Sequence, residues 1–170
     1  MLAIRYLTGF TTAGLAVVAL TLAGCSDNSS GGGKESTPDR ASGGATLVAA
    51  KAEKVTGTVV TDREGYVLYR FDADSAKPTK VTCYGGCAKL WPAATAPSGG
   101  ITVNGVDRKL VSTVQRTDGT KQLTLDGWPL YRYAKDDQPR EAYGQGVGGT
   151  WFAVTPAGGK ASGGAGGSGY

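Results

Sequence analysis

The sequence predicts an all-β domain in which two tandem copies of a short-strand β-meander unit pack with pseudo-two-fold symmetry as a small sandwich or barrel. The first observation behind this prediction is a ten-residue pattern that occurs at 65–74 and again, 62 residues later, at 127–136. The second is that short runs rich in β-branched and aromatic residues flank both copies, with Asp-Gly and similar turn sequences between them. A pattern repeated in this way indicates architecture before it indicates an active site.

The repeated pattern defines a motif of three residues in each copy. Gly, Leu, Tyr, Arg and the final Asp of the pattern are identical, and the aromatic after Arg is Phe in one copy and Tyr in the other. The motif residues are Tyr69, Phe71, Asp74, Tyr131, Tyr133 and Asp136. Each Asp is predicted to cap a turn by accepting backbone N–H groups, or else to pair with the Arg of its own copy, Arg70 or Arg132. Each copy then leads to a tryptophan, Trp91 or Trp151.

The N-terminal residues 1–24 are predicted to be a lipoprotein signal peptide. One basic residue, Arg5, precedes an apolar run that is interrupted by Thr and Gly and ends in Leu22-Ala23-Gly24-Cys25. A short apolar segment with small residues before a cleavage point is typical of a secretory signal. Leu-Ala-Gly-Cys resembles the lipobox of bacterial lipoproteins, which implies cleavage before Cys25 and attachment of palmitate-type acyl chains. The alternative is an ordinary cleaved signal in which Cys25 is incidental.

Composition divides the rest of the chain into three parts. Residues 25–45 are rich in Ser, Gly, Asp and Asn, and they are predicted to be the lipidated cysteine followed by a disordered tether. Residues 46–156 form the predicted β domain, with repeat 1 at about 56–95 and repeat 2 at about 110–156. Residues 157–170 are mostly Gly, Ala and Ser, and they are predicted to be a disordered tail.

Turn signals and period-two alternation predict the strands in chain order. The predicted strands are Thr56–Thr61, Tyr66–Phe71, Ile101–Val103, Leu110–Arg116, Lys121–Leu125, Trp128–Tyr133 and Trp151–Val154. Asp118-Gly119 and Asp126-Gly127 are strong hairpin-turn sequences. Alternation places Leu68 and Tyr69 on opposite faces of their strand, and the second copy repeats this arrangement. Cys87–Trp91 is the one segment that suggests a helical turn.

The cysteine pair Cys83 and Cys87 is the clearest candidate for chemistry. In an exported protein an even pair of cysteines normally forms a disulfide. The second copy has no cysteine at the equivalent stretch, so the repeat does not require the bridge. Three interpretations stay open: a structural staple, a redox couple, or a reduced pair that binds a soft metal ion such as Cu(I).

The amino-acid composition excludes several classes of chemistry. The chain has no histidine, and its one methionine is the first residue. This removes Ser-His-Asp and Cys-His catalysis, imidazole metal sites and c-type haem attachment. We therefore expect no cofactor and no metal site, the alternative being a metal cluster formed by Asp72, Asp74, Asp136 and Asp137. Cleavage leaves 17 basic residues against 14 acidic ones, because Arg5 is lost, and this balance does not indicate a nucleic-acid partner.

Aromatic residues are the second set of candidates for function. Three tryptophans and eight tyrosines are present, and core packing accounts for most of them. Tyr84 and Tyr143 lie in Gly-rich loops and Trp128 begins a strand, so these three form the candidate binding surface. Exposed aromatic rings on a protein that faces the cell wall can stack on sugars or dock another protein.

Several spaced motifs resemble those of one known family. Tyr69-Arg-Phe71-Asp-Ala-Asp74 and its second copy resemble the Tyr-x-(Phe/Trp/Tyr)-x-x-Asp signature of predicted bacterial lipoproteins called the secreted repeat of unknown function. In that family the first copy continues into Cys-x-x-x-Cys-Ala and Trp-Pro, as residues 83–92 do here. The second continues into Gly-Gln-Gly and a late Trp, as residues 144–151 do. The resemblance implies no defined catalytic residues, because the family has none.

These observations predict a lipoprotein attached to the outer face of a bacterial cell membrane through its N-terminal lipid. We expect a non-enzymatic binding or interaction module whose partner is the cell wall or an envelope protein. The alternative is a redox or electron-transfer participant of the envelope that uses Cys83 and Cys87. A third possibility is an enzyme with carboxylate chemistry, which requires two of the Asp residues to share a cleft with perturbed pKa values.

Overall fold

Short strands joined by tight turns make up almost the whole fold. The computed structural model describes residues 46–163. The strands are β1 (Leu47–Ala50), β2 (Val59–Asp62), β3 (Tyr69–Phe71), β4 (Ser75–Ala76), β5 (Thr79–Lys80), β6 (Val103–Asn104), β7 (Val111–Gln115), β8 (Lys121–Leu125), β9 (Trp128–Pro129) and β10 (Trp151–Ala153). The helical segments are α1 (Gly86–Leu90) and single 3-10 turns at Arg108–Leu110 and Val147–Gly149. The predictions for the signal peptide, Cys25, the tether and residues 164–170 lie outside the described residues.

The described strands form four small sheets, which confirms the predicted all-β class. One sheet has the order β2-β1-β6, with β1 antiparallel to β2 and parallel to β6. A second pairs β10 with β3, and a third pairs β4 with β5. The fourth is the meander β7-β8-β9 that the two Asp-Gly turns predict.

The two copies of the repeat contact each other at equivalent positions. Tyr69 and Tyr131 exchange backbone hydrogen bonds, with N–O distances of 2.8 and 2.9 Å. The backbone oxygen of Leu68 in the first copy accepts from the N–H of Val154 in the second, at 3.0 Å. The oxygen of Leu130 in the second copy accepts from the N–H of Ala94 in the first, at 2.9 Å. Pseudo-two-fold symmetry requires equivalent residues of the two copies to exchange the same contacts, and these hydrogen bonds do so.

Alternation along the motif strands separates two hydrophobic cores. Tyr69 and Tyr131 belong to one core, together with both repeat tryptophans. Leu68 and Leu130 belong to the other, which is mainly aliphatic. The side chains of all four are fully buried. The prediction that neighbouring residues of the motif strand face opposite sides is therefore confirmed.

The C-terminal boundary of the domain differs from the prediction. Residues 157–163 belong to the predicted disordered tail, but the structure packs them against the domain. The N–H of Ala161 donates to the oxygen of Ala153 at 2.8 Å, and Ser162 forms a β-bridge with Thr56. Ala161 is buried in the aromatic core. A Gly- and Ala-rich composition does not predict this ordered packing. The segment is held by backbone hydrogen bonds and by close approach of its backbone to the domain, not by large side chains.

Candidate functional site

The tyrosine of each motif copy hydrogen-bonds the aspartate of the other copy. The hydroxyl of Tyr69 donates to Oδ2 of Asp136 at 2.6 Å, and the hydroxyl of Tyr131 donates to Oδ2 of Asp74 at 2.6 Å. All four side chains are buried. The motif residues are therefore joined in two crossed pairs that tie the repeats together, an arrangement that the sequence pattern alone does not predict.

The second oxygen of each motif carboxylate accepts a backbone N–H group from a residue further along the same copy. Oδ1 of Asp74 accepts from the backbone N–H of Thr82 at 2.8 Å. Oδ1 of Asp136 accepts from the backbone N–H of Tyr143 at 2.9 Å. The alternative of an ion pair with the Arg of the same copy does not occur, since Arg70 pairs with Asp72 and Arg132 pairs with Asp62.

Burial perturbs the pKa values of these crossed pairs. Desolvation raises the pKa of Asp136 to about 6, although hydrogen bonds from Tyr69 and from the N–H of Tyr143 act in the opposite direction. Desolvation and the neighbouring carboxylates raise the pKa of Tyr69 and of Tyr131 far above the ordinary tyrosine value. Both hydroxyls therefore remain protonated donors at every physiological pH.

The other two motif aromatics and the two repeat tryptophans form a continuous stack of four rings. Trp91 and Trp151 lie at the centre, with ring centroids 3.8 Å apart and planes within 2°. Phe71 stacks on Trp151 at 4.1 Å, and Tyr133 stacks on Trp91 at 4.3 Å. Each motif aromatic thus packs on the tryptophan of the other copy. The stack is an architectural core, which is the role that a shared repeat pattern indicates.

The cysteine pair forms a disulfide beside this core. Cys83 and Cys87 are bonded to each other, as their predicted pairing requires. Only 1% of Cys83 is exposed, and its backbone oxygen accepts from Arg116 at 2.9 Å. Cys87 lies in α1, partly buried against the aromatic core. Whether the bridge is a structural staple or a redox couple stays a prediction for experiment.

The three predicted surface aromatics each pack against a cation rather than against one another. Each ring faces a different cation. The pairs are Tyr84 with Arg116 at 4.4 Å, Trp128 with Arg70 at 3.3 Å, and Tyr143 with Lys54 at 4.0 Å from ring centroid to cation. Across residues 46–163, no ring contact joins any two of them. Tyr143 is the most exposed, at 44%, and a binding role for it stays a prediction.

The arginines of the repeated pattern occupy equivalent positions but different environments. The guanidinium of Arg70 lies 3.3 Å from the ring centroid of Trp128, and that of Arg132 lies 3.9 Å from the ring centroid of Tyr66. Trp128 and Tyr66 are themselves equivalent, because each follows the first Gly of its copy. Each arginine therefore stacks on the aromatic residue of the other repeat. The ring face attracts the positive charge of the guanidinium and so holds the arginine side chain in place.

The Arg70 position is covered by the chain itself. Its side chain is 10% exposed, and Nη1 donates to the backbone oxygen of Gly158 at 3.3 Å. Beside it, Lys160 Nζ contacts Asp72 Oδ2 at 2.6 Å. The segment that covers Arg70 lies within the part of the chain predicted to be a disordered tail.

The Arg132 position is open. Its side chain is 37% exposed, and two adjoining cavities of about 400 and 330 Å³ are both lined by Arg132 and Pro92. We name this feature the Arg132 groove. It is defined by Asp62, Glu64, Tyr66, Pro92, Arg132 and Asp137. This groove is not predicted from the sequence. The one feature of the sequence that could have indicated it is the arginine that recurs in both copies of the pattern.

Asp62 organises the groove around Arg132. Its Oδ1 accepts from the backbone N–H groups of Glu64 and Tyr66, both at 3.0 Å, and its Oδ2 lies 3.3 Å from Arg132 Nη1. Burial raises the pKa of Asp62, and the charge of Arg132 opposes this increase. Within residues 46–163, Asp62 is the one carboxylate that forms an ion pair with the guanidinium, which also stacks on Tyr66, and no hydrogen bond from Nε or Nη2 is seen there.

Two features are absent from the part of the chain that the structure describes. Among residues 46–163, no group of three or more carboxylate or thiol side chains is arranged to bind a metal ion. The same residues contain no helix with the length and apolarity needed to span a bilayer.

The fold and the crossed motif define a class of protein built from two tandem copies of one small β-strand repeat. The chain belongs to the family described as the secreted repeat of unknown function, which matches residues 49–95 and 112–155. These two ranges overlap the predicted copies at about 56–95 and about 110–156. The family description is consistent with an extracytoplasmic protein and points to no enzymatic activity. No curated protein and no solved structure matches the chain.

Proposed function

We propose that the protein is a lipid-anchored extracytoplasmic binding module and that the Arg132 groove is its ligand site. The observation that carries this proposal is the difference between two equivalent arginines. Arg70 is covered by the chain, whereas Arg132 is held in place by Tyr66 and Asp62 and lines an open cavity. An oriented, partly desolvated guanidinium is a common recognition group, because it offers several fixed donors to an oxygen-bearing ligand.

Support for binding rather than catalysis comes from the carboxylates. Both oxygens of Asp136 accept hydrogen bonds, and the same is true of Asp74. A carboxylate that is fully engaged in this way is not free to act as a nucleophile or base. The absence of histidine from the whole sequence removes the usual partner for such chemistry.

Support for the anchor comes from the N-terminal sequence. Leu22-Ala23-Gly24 and Cys25 form the lipobox-like motif, and the family is one of secreted repeats. Acylation on one cysteine by two or more chains gives stable attachment, where a single chain does not. We expect Cys25→Ser to leave the chain unprocessed or to release it from the membrane fraction, and normal processing with full retention would refute the anchor.

The binding proposal is tested by retention of the detergent-purified full chain on insoluble envelope material from its source cells, after lipid has been extracted from that material so that the acyl anchor does not contribute. Arg132→Ala should lower retention at least tenfold, because a charge-assisted hydrogen bond contributes roughly 1.5–3 kcal/mol. Lys135→Ala is the matched control: it removes one positive charge three residues away, from an exposed side chain that does not line the groove. Equal retention of wild type and Arg132→Ala would contradict the proposal.

A further inference from the structure

We infer that the Arg132 groove binds a peptide main chain, with a carbonyl or terminal carboxylate oxygen of the peptide accepting from Arg132. The inference rests on the proposed function and names its ligand class. It comes from the equivalent site in the other repeat, where a segment of the protein itself already occupies the position beside Arg70.

The first step is the equivalence of the two sites. Val154 and Ala94 each lie three residues after the tryptophan of their copy, and each donates its backbone N–H to the motif leucine of the other copy. The segments that follow them are similar in sequence. They are Thr95-Ala-Pro-Ser-Gly-Gly100 in the first copy and Thr155-Pro-Ala-Gly-Gly-Lys160 in the second.

The second step is the path of the segment after Val154. The N–H of Thr155 donates to the oxygen of Gly159, and the N–H of Gly158 donates to the oxygen of Thr155, both at 2.9 Å. This turn brings the chain back so that Val154 bridges with Lys160 and the Gly158 oxygen reaches Arg70. A peptide turn therefore fills the Arg70 site and supplies a main-chain oxygen to its guanidinium.

The third step is the different path of the segment after Ala94. Thr95 forms a β-bridge with Gln122, and the N–H of Ala96 donates to the oxygen of Lys121 at 2.9 Å. The segment stays paired with β8 and does not turn back over Arg132. Thr95 and Pro97 line the larger cavity. At Arg70 a turn of the chain fills the space beside the guanidinium. At Arg132 the equivalent space is therefore left as the open cavity.

Charge favours a peptide with a basic side chain. At the covered site, the cation of Lys160 contacts the carboxylate of Asp72. At the open site, the groove carries the exposed residues Glu64 and Asp137. Glu64 lies 3.8 Å from Arg63, which lines the same groove, whereas Asp137 forms no ion pair within the described residues. Complementary charges near a binding site raise selectivity for the ligand that carries the opposite sign. A peptide that presents its oxygen to Arg132 and a cation to Asp137 matches both features.

The experiment uses two synthetic peptides copied from the covering segment. One is Thr-Pro-Ala-Gly-Gly-Lys with an amidated end, which presents only internal carbonyl oxygens. The other is Thr-Pro-Ala-Gly with a free carboxylate. The full chain, purified in detergent and labelled with ¹⁵N, is titrated with each peptide while the Arg132 Nε–H resonance is followed.

We expect saturable binding of at least one peptide, with a shift of the Arg132 Nε–H resonance. Binding of the amidated peptide, with or without the second, identifies an internal carbonyl as a sufficient acceptor, and binding of the second alone identifies a terminal carboxylate. Arg132→Ala should weaken binding at least tenfold and Lys135→Ala should not change it. Arg132→Lys should also weaken it several-fold, because an ammonium group lacks the planar fork of donors. This variant keeps the charge, so it serves as the test if Arg132→Ala does not fold.

Absence of saturable binding for both peptides would overturn the ligand class, as would binding that Arg132→Ala and Arg132→Lys retain. Saturable binding of inorganic phosphate or of an N-acetylglucosamine oligomer at Arg132, without peptide binding, would also overturn it. If envelope retention depends on Arg132 but neither peptide binds, the proposed function stands and the ligand class is wrong. If the peptides bind through Arg132 but envelope retention does not depend on it, the ligand class stands and the proposed role fails.

Discussion

At the residue scale, the crossed tyrosine–aspartate pairs explain why the repeat keeps Tyr and Asp at a fixed spacing. Each buried carboxylate needs a donor from outside its own turn, and the tyrosine of the other copy supplies it. Tyr69 and Asp74 each bind a residue of the other repeat, so a change at either position disturbs both repeats. The sequence shows that these residues recur, but it does not show that they pair across the copies.

Removal of one tyrosine hydroxyl should destabilise the domain without changing its shape. Tyr69→Phe and Tyr131→Phe each leave a buried carboxylate without its hydroxyl donor, and we expect a loss of about 1–3 kcal/mol in the free energy of unfolding. Tyr66→Phe is the control, because its hydroxyl makes a long 3.4 Å contact with the Asp137 oxygen near the surface. Urea unfolding measures all three, and equal midpoints would show that the crossed bonds contribute nothing.

The raised pKa of Asp136 predicts how stability depends on pH. A carboxyl group whose pKa is about 6 in the folded state and about 4 in the unfolded state binds its proton more tightly when folded. Its contribution is therefore fully present below about pH 4 and is lost as the pH rises to about 6. The expected change is roughly 2–3 kcal/mol, which follows from about two pKa units.

The measurement for this prediction is the free energy of unfolding from urea titrations between pH 4 and pH 7. The difference between wild type and Asp136→Asn isolates the one carboxyl group, since all other titrating groups are shared. That difference should shrink by the stated amount as the pH rises through this interval. A difference that grows, or does not change with pH, would mean that Asp136 is not the buried acid described here.

At the element scale, the sequence predicts strands well where turns are explicit. The Asp118-Gly119 and Asp126-Gly127 turns delimit β7, β8 and β9, and the meander follows from them. It does not predict β4 and β5, because strands of two residues carry no periodicity. The fold of residues 157–163 and the open groove both escape prediction for one reason. They depend on which way a Gly-rich segment turns after each tryptophan, and composition does not encode that choice.

The packing of the covering segment can be tested at Gly158. An added Cβ there would lie 2.6 Å from the Cβ of Asp126, and the residue has a φ of +85°. Gly158→Ala should therefore destabilise the domain by more than about 1 kcal/mol. Gly57→Ala is the matched control, because Gly57 has a φ of +92° but no atom within 4 Å of its added Cβ. Equal thermal shifts in the two variants would indicate that residues 157–163 do not pack as described.

The disulfide element can be assigned a role by one double variant. If Cys83–Cys87 is a staple, Cys83→Ser with Cys87→Ser should lose roughly 2 kcal/mol of stability, the amount expected for closure of so short a loop. The variant should keep its envelope retention. Thiol alkylation across a series of redox buffers should give a reduction potential below about −300 mV. A value near about −200 mV or higher would favour the redox alternative.

At the scale of the whole molecule, the two repeats share a core and differ at their surfaces. The crossed hydrogen bonds, the four-ring stack and the exchanged backbone bonds all obey the pseudo-two-fold relation. The arginine sites break it, because one is filled by the chain and the other is not. A duplicated fold thus keeps equivalent interactions where they stabilise both copies, and it differs at the arginines, one of which is covered and the other open.

Arg132 is the open member of this pair, and we propose that it is the one that contacts a ligand. The most direct measurement is the hydrogen-exchange rate of the Arg70 and Arg132 Nε–H groups, in the free chain and in the chain bound to envelope material. We expect Arg70 to be protected in both states, and Arg132 to exchange at least tenfold faster when free and to become protected on binding. Equal rates in the free chain, or an Arg132 rate that binding leaves unchanged, would contradict the account.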